Sequence, residues 1–166
     1  MVVDEAPSSL VLDGEGRFLH EGTLVTHARL LALLHRSIAR LDDGSYVVTT
    51  GRDRVALVVV DTPYFVRTLV RHDDAVCLVL SDDTREEIDG ATALVVDGAD
   101  RLLARVKGGR FWARLLRPAH AAVVDAIPDD AAISDDDGPD QGAFVSHPLG
   151  AHVTVRRAPR GLDPRA

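Results

Sequence analysis

The stretch Leu10-Val11-Leu12-Asp13-Gly14-Glu15-Gly16-Arg17-Phe18-Leu19-His20 decides how the chain begins to fold. Two short apolar segments flank a turn in which glycine supplies positive φ angles at little steric cost. Apolar residues then recur with helical spacing, as at Leu30 and Leu34, which predicts a helix over residues 26–41 with Thr26 as its N-cap. Two strands followed by a helix favour an α+β fold.

The rest of the chain favours strands. Residues 46–49 and 55–60 flank Thr50-Gly51-Arg52-Asp53, a pattern typical of a β-hairpin. A second helix is predicted to begin near Pro118, because proline is favoured in the first turn of a helix. Other short apolar segments predict strands at 65–70, 76–80, 93–96, 102–106, 111–116, 143–146 and 153–155. The prediction is therefore two main helices and about nine mostly antiparallel strands.

The order of these elements indicates an internal duplication. Gly16-Arg17-Phe18 precedes the first helix, and Gly109-Arg110-Phe111 precedes the second. Each helix is followed by a glycine and an aromatic–valine pair, in Gly44-Ser45-Tyr46-Val47 and Gly142-Ala143-Phe144-Val145. We predict two repeated strand–helix–hairpin motifs, and the alternative is coincidence in a chain rich in glycine and alanine.

The predicted repeat divides the chain into two lobes. Residues 16–50 would correspond to residues 109–149. The first lobe would span residues 9–72 and the second residues 73–156. Residues 1–8 and 157–166 are predicted to be flexible termini.

Composition excludes several classes of protein. The chain has 166 residues and a net charge of -7, from 19 basic and 26 acidic side chains, which disfavours binding to nucleic acid. Its longest apolar run, residues 55–60, is far shorter than the roughly 20 residues that cross a membrane. Cys77 is the single cysteine, so there is no intramolecular disulfide. The N-terminus lacks a basic segment followed by an apolar one, and we expect a cytoplasmic protein.

Charge is unevenly distributed. Residues 101–117 carry six basic side chains and no acid, whereas residues 129–140 carry six aspartates and no base. On a strand of period two, Arg110, Trp112 and Arg114 share one face. Rows of arginine and aromatic residues are enriched where proteins bind anions or partners. We predict that this row binds an anionic small molecule or an acidic protein partner; alternatively, Trp112 packs beneath a loop and the arginines pair with residues 129–140.

Other polar side chains complete the candidates. His20 and His147 lie near corresponding ends of the two predicted repeats, and with Arg17 they are added to the predicted binding residues. An alternative places an enzyme at the carboxylates of residues 82–87, namely Asp82, Asp83, Glu86 and Glu87, working with His72 or His147.

No motif indicates a metal or a cofactor. Lys107 is followed by Gly108 rather than by the Ser or Thr of a phosphate-binding loop. The acidic segment 135–138 fails as a calcium loop, because Ile133 and Phe144 stand where carboxylates are required. We therefore predict no metal, no cofactor and no catalytic residue.

Several of these segments, taken in order, resemble a bacterial family known as domain of unknown function 1285. They are residues 13–22, 29–34, 42–49, 60–64, 104–109, 113–118, 142–145 and 148–150. The resemblance implies an α+β fold with two repeated motifs, no established enzyme activity and a link to signal transduction without a defined ligand. Gly51-Arg52-Asp53-Arg54 and Asp135-Asp136-Asp137 depart from the family pattern.

These observations lead to a functional expectation. We expect a soluble, non-enzymatic regulatory or ligand-binding module, and the family resemblance implies a role in bacterial signalling. The alternative is a small-molecule hydrolase that uses the carboxylates of residues 82–87 with a histidine.

Overall fold

The computed structural model describes residues 10–73, 75–88, 93–125, 143–146 and 152–166. The chain forms two compact units. One runs up to Pro63 and includes Arg165–Ala166, and the other is Tyr64–Pro164. The boundary therefore precedes the predicted one at residues 72 and 73, because the strand Tyr64–His72 belongs to the second unit.

The first unit is a six-stranded mixed sheet with one helix. Its elements are β1 (Leu10–Leu12), β2 (Phe18–His20), β3 (Thr23–Leu24), α1 (Ala28–Arg36), β4 (Ile38–Arg40), β5 (Tyr46–Thr50) and β6 (Asp53–Val59). The strand order is β3-β2-β1-β6-β5-β4, with β1 and β6 parallel and the other neighbours antiparallel. Leu12, Phe18 and Val48 are fully buried on one face, and the edge of the Phe18 ring meets His35 of α1.

Helix α1 is shorter than predicted. It spans Ala28–Arg36 rather than 26–41, and its N-cap is His27, whose Nδ1 accepts a 3.4 Å hydrogen bond from the Leu30 amide, not Thr26. The helix ends at Ser37, whose hydroxyl donates to the Leu33 carbonyl. The β-branched Ile38 then begins β4, which pairs with β5, so the pairing of strands overrides the apolar spacing that predicted a longer helix.

The second unit is an eight-stranded mixed sheet with one helix. Its elements are β7 (Tyr64–His72), β8 (Ala75–Leu80), β9 (Arg85–Ile88), β10 (Ala93–Val96), β11 (Leu102–Val106), β12 (Phe111–Leu115), α2 (Arg117–Val124), β13 (Ala143–Ser146) and β14 (His152–Arg157). The strand order is β13-β14-β10-β11-β12-β7-β8-β9, in which β10–β14 and β12–β7 are parallel pairs. Pro118 lies in the first turn of α2 as predicted, and the helix buries Ala119 and Val123.

The α+β class and the two helices are confirmed, but the strand count is not. The described residues contain fourteen strands rather than about nine. Three of the strands absent from the prediction are β3, β4 and β9, which are two to four residues long and lie at sheet edges. Such short segments carry too few residues to show a period of two.

The C-terminal segment, predicted to be a flexible tail at 157–166, packs against the second sheet. Arg157 ends β14, and Ala158 and Leu162 pack against a buried cluster that contains Val95 and Trp112. This segment therefore contributes to the second unit's core. Residues 1–8 lie outside the described part of the chain.

One turn occurs in both units with the same hydrogen bonds. In the first unit Asp13 Oδ1 accepts from two backbone amides of the turn, each at 2.9 Å, and Arg17 Nε donates to Asp13 Oδ2 at 2.8 Å. In the second unit Asp97 Oδ1 accepts from two amides at 2.9 and 3.0 Å, and Arg101 Nε donates to Asp97 Oδ2 at 2.8 Å. Both turns follow the pattern Asp-Gly-x-x-Arg.

The strand beside this turn is also equivalent in the two units. Just beyond the parallel pair β1–β6, the Val60 amide donates to the Leu12 carbonyl at 3.0 Å. Just beyond the parallel pair β10–β14, the Ala158 amide donates to the Val96 carbonyl at 2.7 Å. Residue 60 of the first unit therefore corresponds to residue 158 of the second.

The predicted register of the repeat is not confirmed. The strand after the shared turn begins at Phe18 in the first unit and at Leu102 in the second, not at Phe111. Phe111 instead follows a different turn, Lys107-Gly108-Gly109, in which all three residues have positive φ. The predicted match of residues 16–50 with 109–149 is thus displaced by one strand, and residues 126–142 and 147–149 lie outside the described residues.

In the described residues, no helix is both long enough and apolar enough to cross a membrane.

Candidate functional site

Trp112 is a core residue. Its side chain is only 6% exposed, and it packs with Val95 and Leu103 beneath Ala158 and Leu162. Its indole Nε1 is buried and has no hydrogen-bond partner among the described residues. The prediction that Trp112 offers its ring on an accessible surface is therefore wrong. The segment that covers the ring is the one that was expected to be flexible.

The arginines of the predicted row lie against other groups. Arg110 is exposed and donates from Nε to the Lys107 carbonyl at 3.1 Å. The Arg114 guanidinium lies 5.6 Å from the centre of the Phe65 ring. The cation that stacks on Trp112 is instead Arg105, its cross-strand neighbour on β11, at 4.0 Å from the ring centre. Stacking of this kind stabilises a delocalised cation on an aromatic face.

A pocket of about 460 Å³ lies at the carboxyl ends of the parallel strands β10 and β14. One wall comes from the Asp97 turn and includes Gly98 and Arg101. The other wall is formed by residues 157–162, which include Arg157 and Arg160. We call this the Arg157 pocket. Its open side faces solvent, and both Arg157 and Arg160 are exposed.

The charge in the Arg157 pocket is positive. Three arginines and one aspartate line it. The Asp97 carboxylate is already engaged by Arg101, whose Nη2 lies 2.6 Å from Asp97 Oδ2, and by two backbone amides of its turn. Burial by itself would raise the pKa of Asp97, but these hydrogen bonds outweigh it and hold that pKa below its ordinary value. With Asp97 engaged by Arg101, the lining as a whole carries more positive than negative charge.

The equivalent place in the first unit is closed. A Cβ built on Gly14 would lie 3.9 Å from the Asp61 Cβ, and Asp61 is only 7% exposed. A Cβ built on Gly98 meets no atom within 4 Å. Because residue 60 corresponds to residue 158, Asp61 corresponds to Pro159, which lines the pocket. The same turn is thus covered by a side chain in one unit and open in the other.

Two solved structures share this architecture. A DUF1285 family protein from Shewanella baltica OS155 matches with a TM-score of 0.55 and 20% identity, over 71% of this chain and 91% of that chain. A DUF1285 family protein from Silicibacter pomeroyi DSS-3 matches with a TM-score of 0.61 and 13% identity, over 89% of this chain and 79% of that chain. The chain has the DUF1285 fold. No protein-family model and no curated protein matches it.

The resemblance inferred from the sequence is therefore confirmed, and at these identities what it establishes is the DUF1285 fold. The binding residues predicted in the first unit, Arg17 and His20, do not line the Arg157 pocket. Arg17 forms ion pairs with Asp13 at 2.8 Å and Glu15 at 3.1 Å, and His20 is exposed at the end of β2. His147 lies outside the described residues, so the predicted pairing of His20 with His147 stays a prediction.

Three of the four carboxylates of the alternative enzyme are held by other groups of the second unit. Asp82 accepts from Lys107 Nζ at 2.6 Å, Asp83 pairs with Arg67 at 2.6 Å, and Glu86 accepts from the Lys107 amide at 2.8 Å. Burial would raise the pKa of Asp82, but the hydrogen bonds from Lys107 and Thr84 outweigh it and lower that pKa. An ionised, paired carboxylate of this kind is a poor proton donor.

No group of three or more His, Cys, Asp or Glu side chains is placed to hold a metal within the ranges that the structure describes. The acidic segment 129–140, including the rejected calcium loop, lies outside those ranges.

Sequence reasoning missed Arg101, Arg157 and Arg160 as a group. Arg157 and Arg160 fell in a segment that was predicted to be flexible, and Arg101 was counted only as one base among six. One signal was available, namely the recurrence of Asp-Gly-x-x-Arg at residues 13–17 and 97–101. Aligning the halves on that pattern would have shown the two equivalent turns, whereas the correspondence of Asp61 with Pro159 follows only from the strand hydrogen bonds of the folded chain.

Proposed function

We propose that the chain is a non-enzymatic ligand-binding module whose second unit takes a small anionic molecule in the Arg157 pocket. The observation that carries the proposal is an open pocket that three arginines surround, at a place that a side chain closes in the first unit. Guanidinium groups suit this role because their planar donors match the oxygens of carboxylates and phosphates.

The size of the pocket agrees with a small ligand. Its volume of about 460 Å³ lies within the range of roughly 300–1,000 Å³ that is typical of small-molecule sites. Ala158 and Leu162 add apolar surface to one wall. The lining thus combines a few charged groups that orient a ligand with apolar area that contacts the rest of it.

A binding role fits these contacts better than a hydrolytic one. The pocket lining holds one carboxylate, Asp97, and both of its oxygens accept hydrogen bonds within the turn. Acid–base hydrolysis by carboxylates needs two groups with differently tuned pKa values near the reacting bond. A module that binds an anion and does no chemistry needs only the cationic lining, and this suits a regulatory protein.

Binding can be mapped by nuclear magnetic resonance on the full chain. Succinate and inorganic phosphate serve as anionic probes, and succinamide is the neutral match for succinate. We expect saturable shifts of the Gly98 and Gly161 amide signals with at least one anion and none with succinamide. The absence of a saturable shift at both glycines with both anions would overturn the proposal.

Two double variants separate this pocket from general surface charge. Arg157→Ala/Arg160→Ala should weaken binding by about tenfold or more, because each lost charged hydrogen bond contributes roughly 1.5–3 kcal/mol. Arg52→Ala/Arg54→Ala removes two exposed arginines from the first unit and makes the same change in net charge. Equal binding by the two double variants would show that net charge, not the pocket, holds the anion.

A further inference from the structure

The closed turn of the first unit indicates which kind of anion the open turn takes. Asp13 and Asp97 organise their turns with the same hydrogen bonds, and the neighbouring strands continue in the same register. The backbone around the turn is therefore similar in the two units, and the units differ in the side chains beside it. In the first unit, the position beside the glycine of the turn is taken by Asp61.

The group that Asp61 brings to this position is a carboxylate on a short stem. Its Cβ is in ordinary van der Waals contact with the position where a Gly14 side chain would begin, and the residue as a whole is buried. Buried carboxylates persist only where charged or hydrogen-bonding groups compensate them. The architecture at the end of the β1–β6 pair is thus compatible with a buried carboxylate.

At the same position the second unit has an uncharged residue with arginines near it in the sequence. Pro159 replaces the aspartate and supplies neither a charge nor a backbone donor. Arg157 precedes it by two residues and Arg160 follows it, and both line the open space beside Gly98. The second unit therefore has no carboxylate at this position and has two arginines beside it.

We propose that the ligand of the Arg157 pocket presents a carboxylate, which lies beside Gly98 as the Asp61 side chain lies beside Gly14. This inference rests on the proposed function and narrows it to carboxylic acids on a short stem, such as an aspartate-like group. A planar carboxylate also matches the paired donors of one guanidinium.

The probe that tests the inference is N-acetyl-L-aspartate, compared with inorganic phosphate at equal ionic strength. Isothermal titration calorimetry should give an affinity for N-acetyl-L-aspartate about tenfold or more above that for phosphate. Equal or tighter binding of phosphate overturns the carboxylate inference and leaves the proposed anion site standing. If neither anion binds, the proposed function fails as well.

A grafted side chain gives a second and independent test. Pro159→Asp should place a side chain beside Gly98 as Asp61 lies beside Gly14 in the first unit. The new carboxylate would then compete with N-acetyl-L-aspartate, and we expect binding to weaken by about tenfold or more. Pro159→Asn is the neutral match of the same shape and should retain most of the affinity. Pro159→Asp should also unfold at a higher temperature than Pro159→Asn, because its carboxylate gains Arg157 and Arg160 as neighbours. A lower unfolding temperature for Pro159→Asp than for Pro159→Asn would contradict the inference.

Discussion

The Lys107 ammonium lies 2.6 Å from Asp82 Oδ2 and joins two turns of the second unit. The same nitrogen donates to the Thr84 hydroxyl at 2.6 Å, and the Lys107 amide donates to Glu86. Lys107 also has a φ of 55°, which is unfavourable for a residue with a side chain. These bonds explain why a lysine is held in that conformation.

Replacing this lysine should destabilise the second unit. Asp82 has a side chain only 6% exposed, so Lys107→Met leaves a buried carboxylate without its cation, and we expect a loss of about 2–4 kcal/mol in the free energy of unfolding. Urea unfolding measures it. A double-mutant cycle with Asp82→Asn isolates the pair and should give a coupling of about 1–3 kcal/mol. A coupling near zero would show that the two side chains stabilise the fold independently.

Stability should fall in acid. Burial by itself would raise the pKa values of Asp13, Asp82 and Asp97, but the hydrogen bonds and cations around them outweigh it and lower all three. The folded protein therefore binds fewer protons than the unfolded one as pH falls. The stabilisation is fully present above the unfolded pKa of about 3.9 and is lost as pH falls through the lower folded values. Urea midpoints between pH 7 and pH 3 measure it, and a midpoint that rises on acidification would contradict the account.

Arg105 should shield Trp112 from solvent. Trp112 is the single tryptophan of the chain, so its fluorescence reports this site alone. Arg105→Ala removes the guanidinium that covers the ring at 4.0 Å, and we expect a larger acrylamide quenching constant and a red-shifted emission. The matched control is Arg110→Ala, because Arg110 lies near Phe111 rather than Trp112. Equal quenching in both variants would mean that Arg105 does not shield the ring from solvent.

Local patterns in the sequence predicted the fold class well. The hairpin across Gly51, the strands of the second unit other than β9, and the start of α2 near Pro118 all follow from apolar spacing and turn residues. The prediction made helix α1 too long, because Ile38 continues the apolar spacing of the helix. The backbone of Ile38 pairs with β5 instead. Periodicity describes which residues face a core, and strand pairing can impose a different conformation on the same spacing.

The candidate site could be predicted only in part. The run of basic residues at 101–117 pointed to the second unit, where the Arg157 pocket lies. Alternation along β12 shows only that Trp112 shares a face with Arg110 and Arg114. Whether that face is covered depends on residues 158–162, which lie more than 40 residues away in the chain and form the other pocket wall. Long-range packing of this kind leaves no periodic signal in either segment.

The most direct test of the account is where an anion binds in the folded chain. Crystals of the full chain soaked in sodium bromide can be measured at the bromine absorption edge, which locates bound bromide without assuming the chemistry of the ligand. We expect an anomalous peak from bromide in the Arg157 pocket, within contact distance of Arg157 or Arg160 and beside Gly98. Bromide bound at other exposed arginines, such as Arg52 and Arg54, with none in that pocket would contradict it.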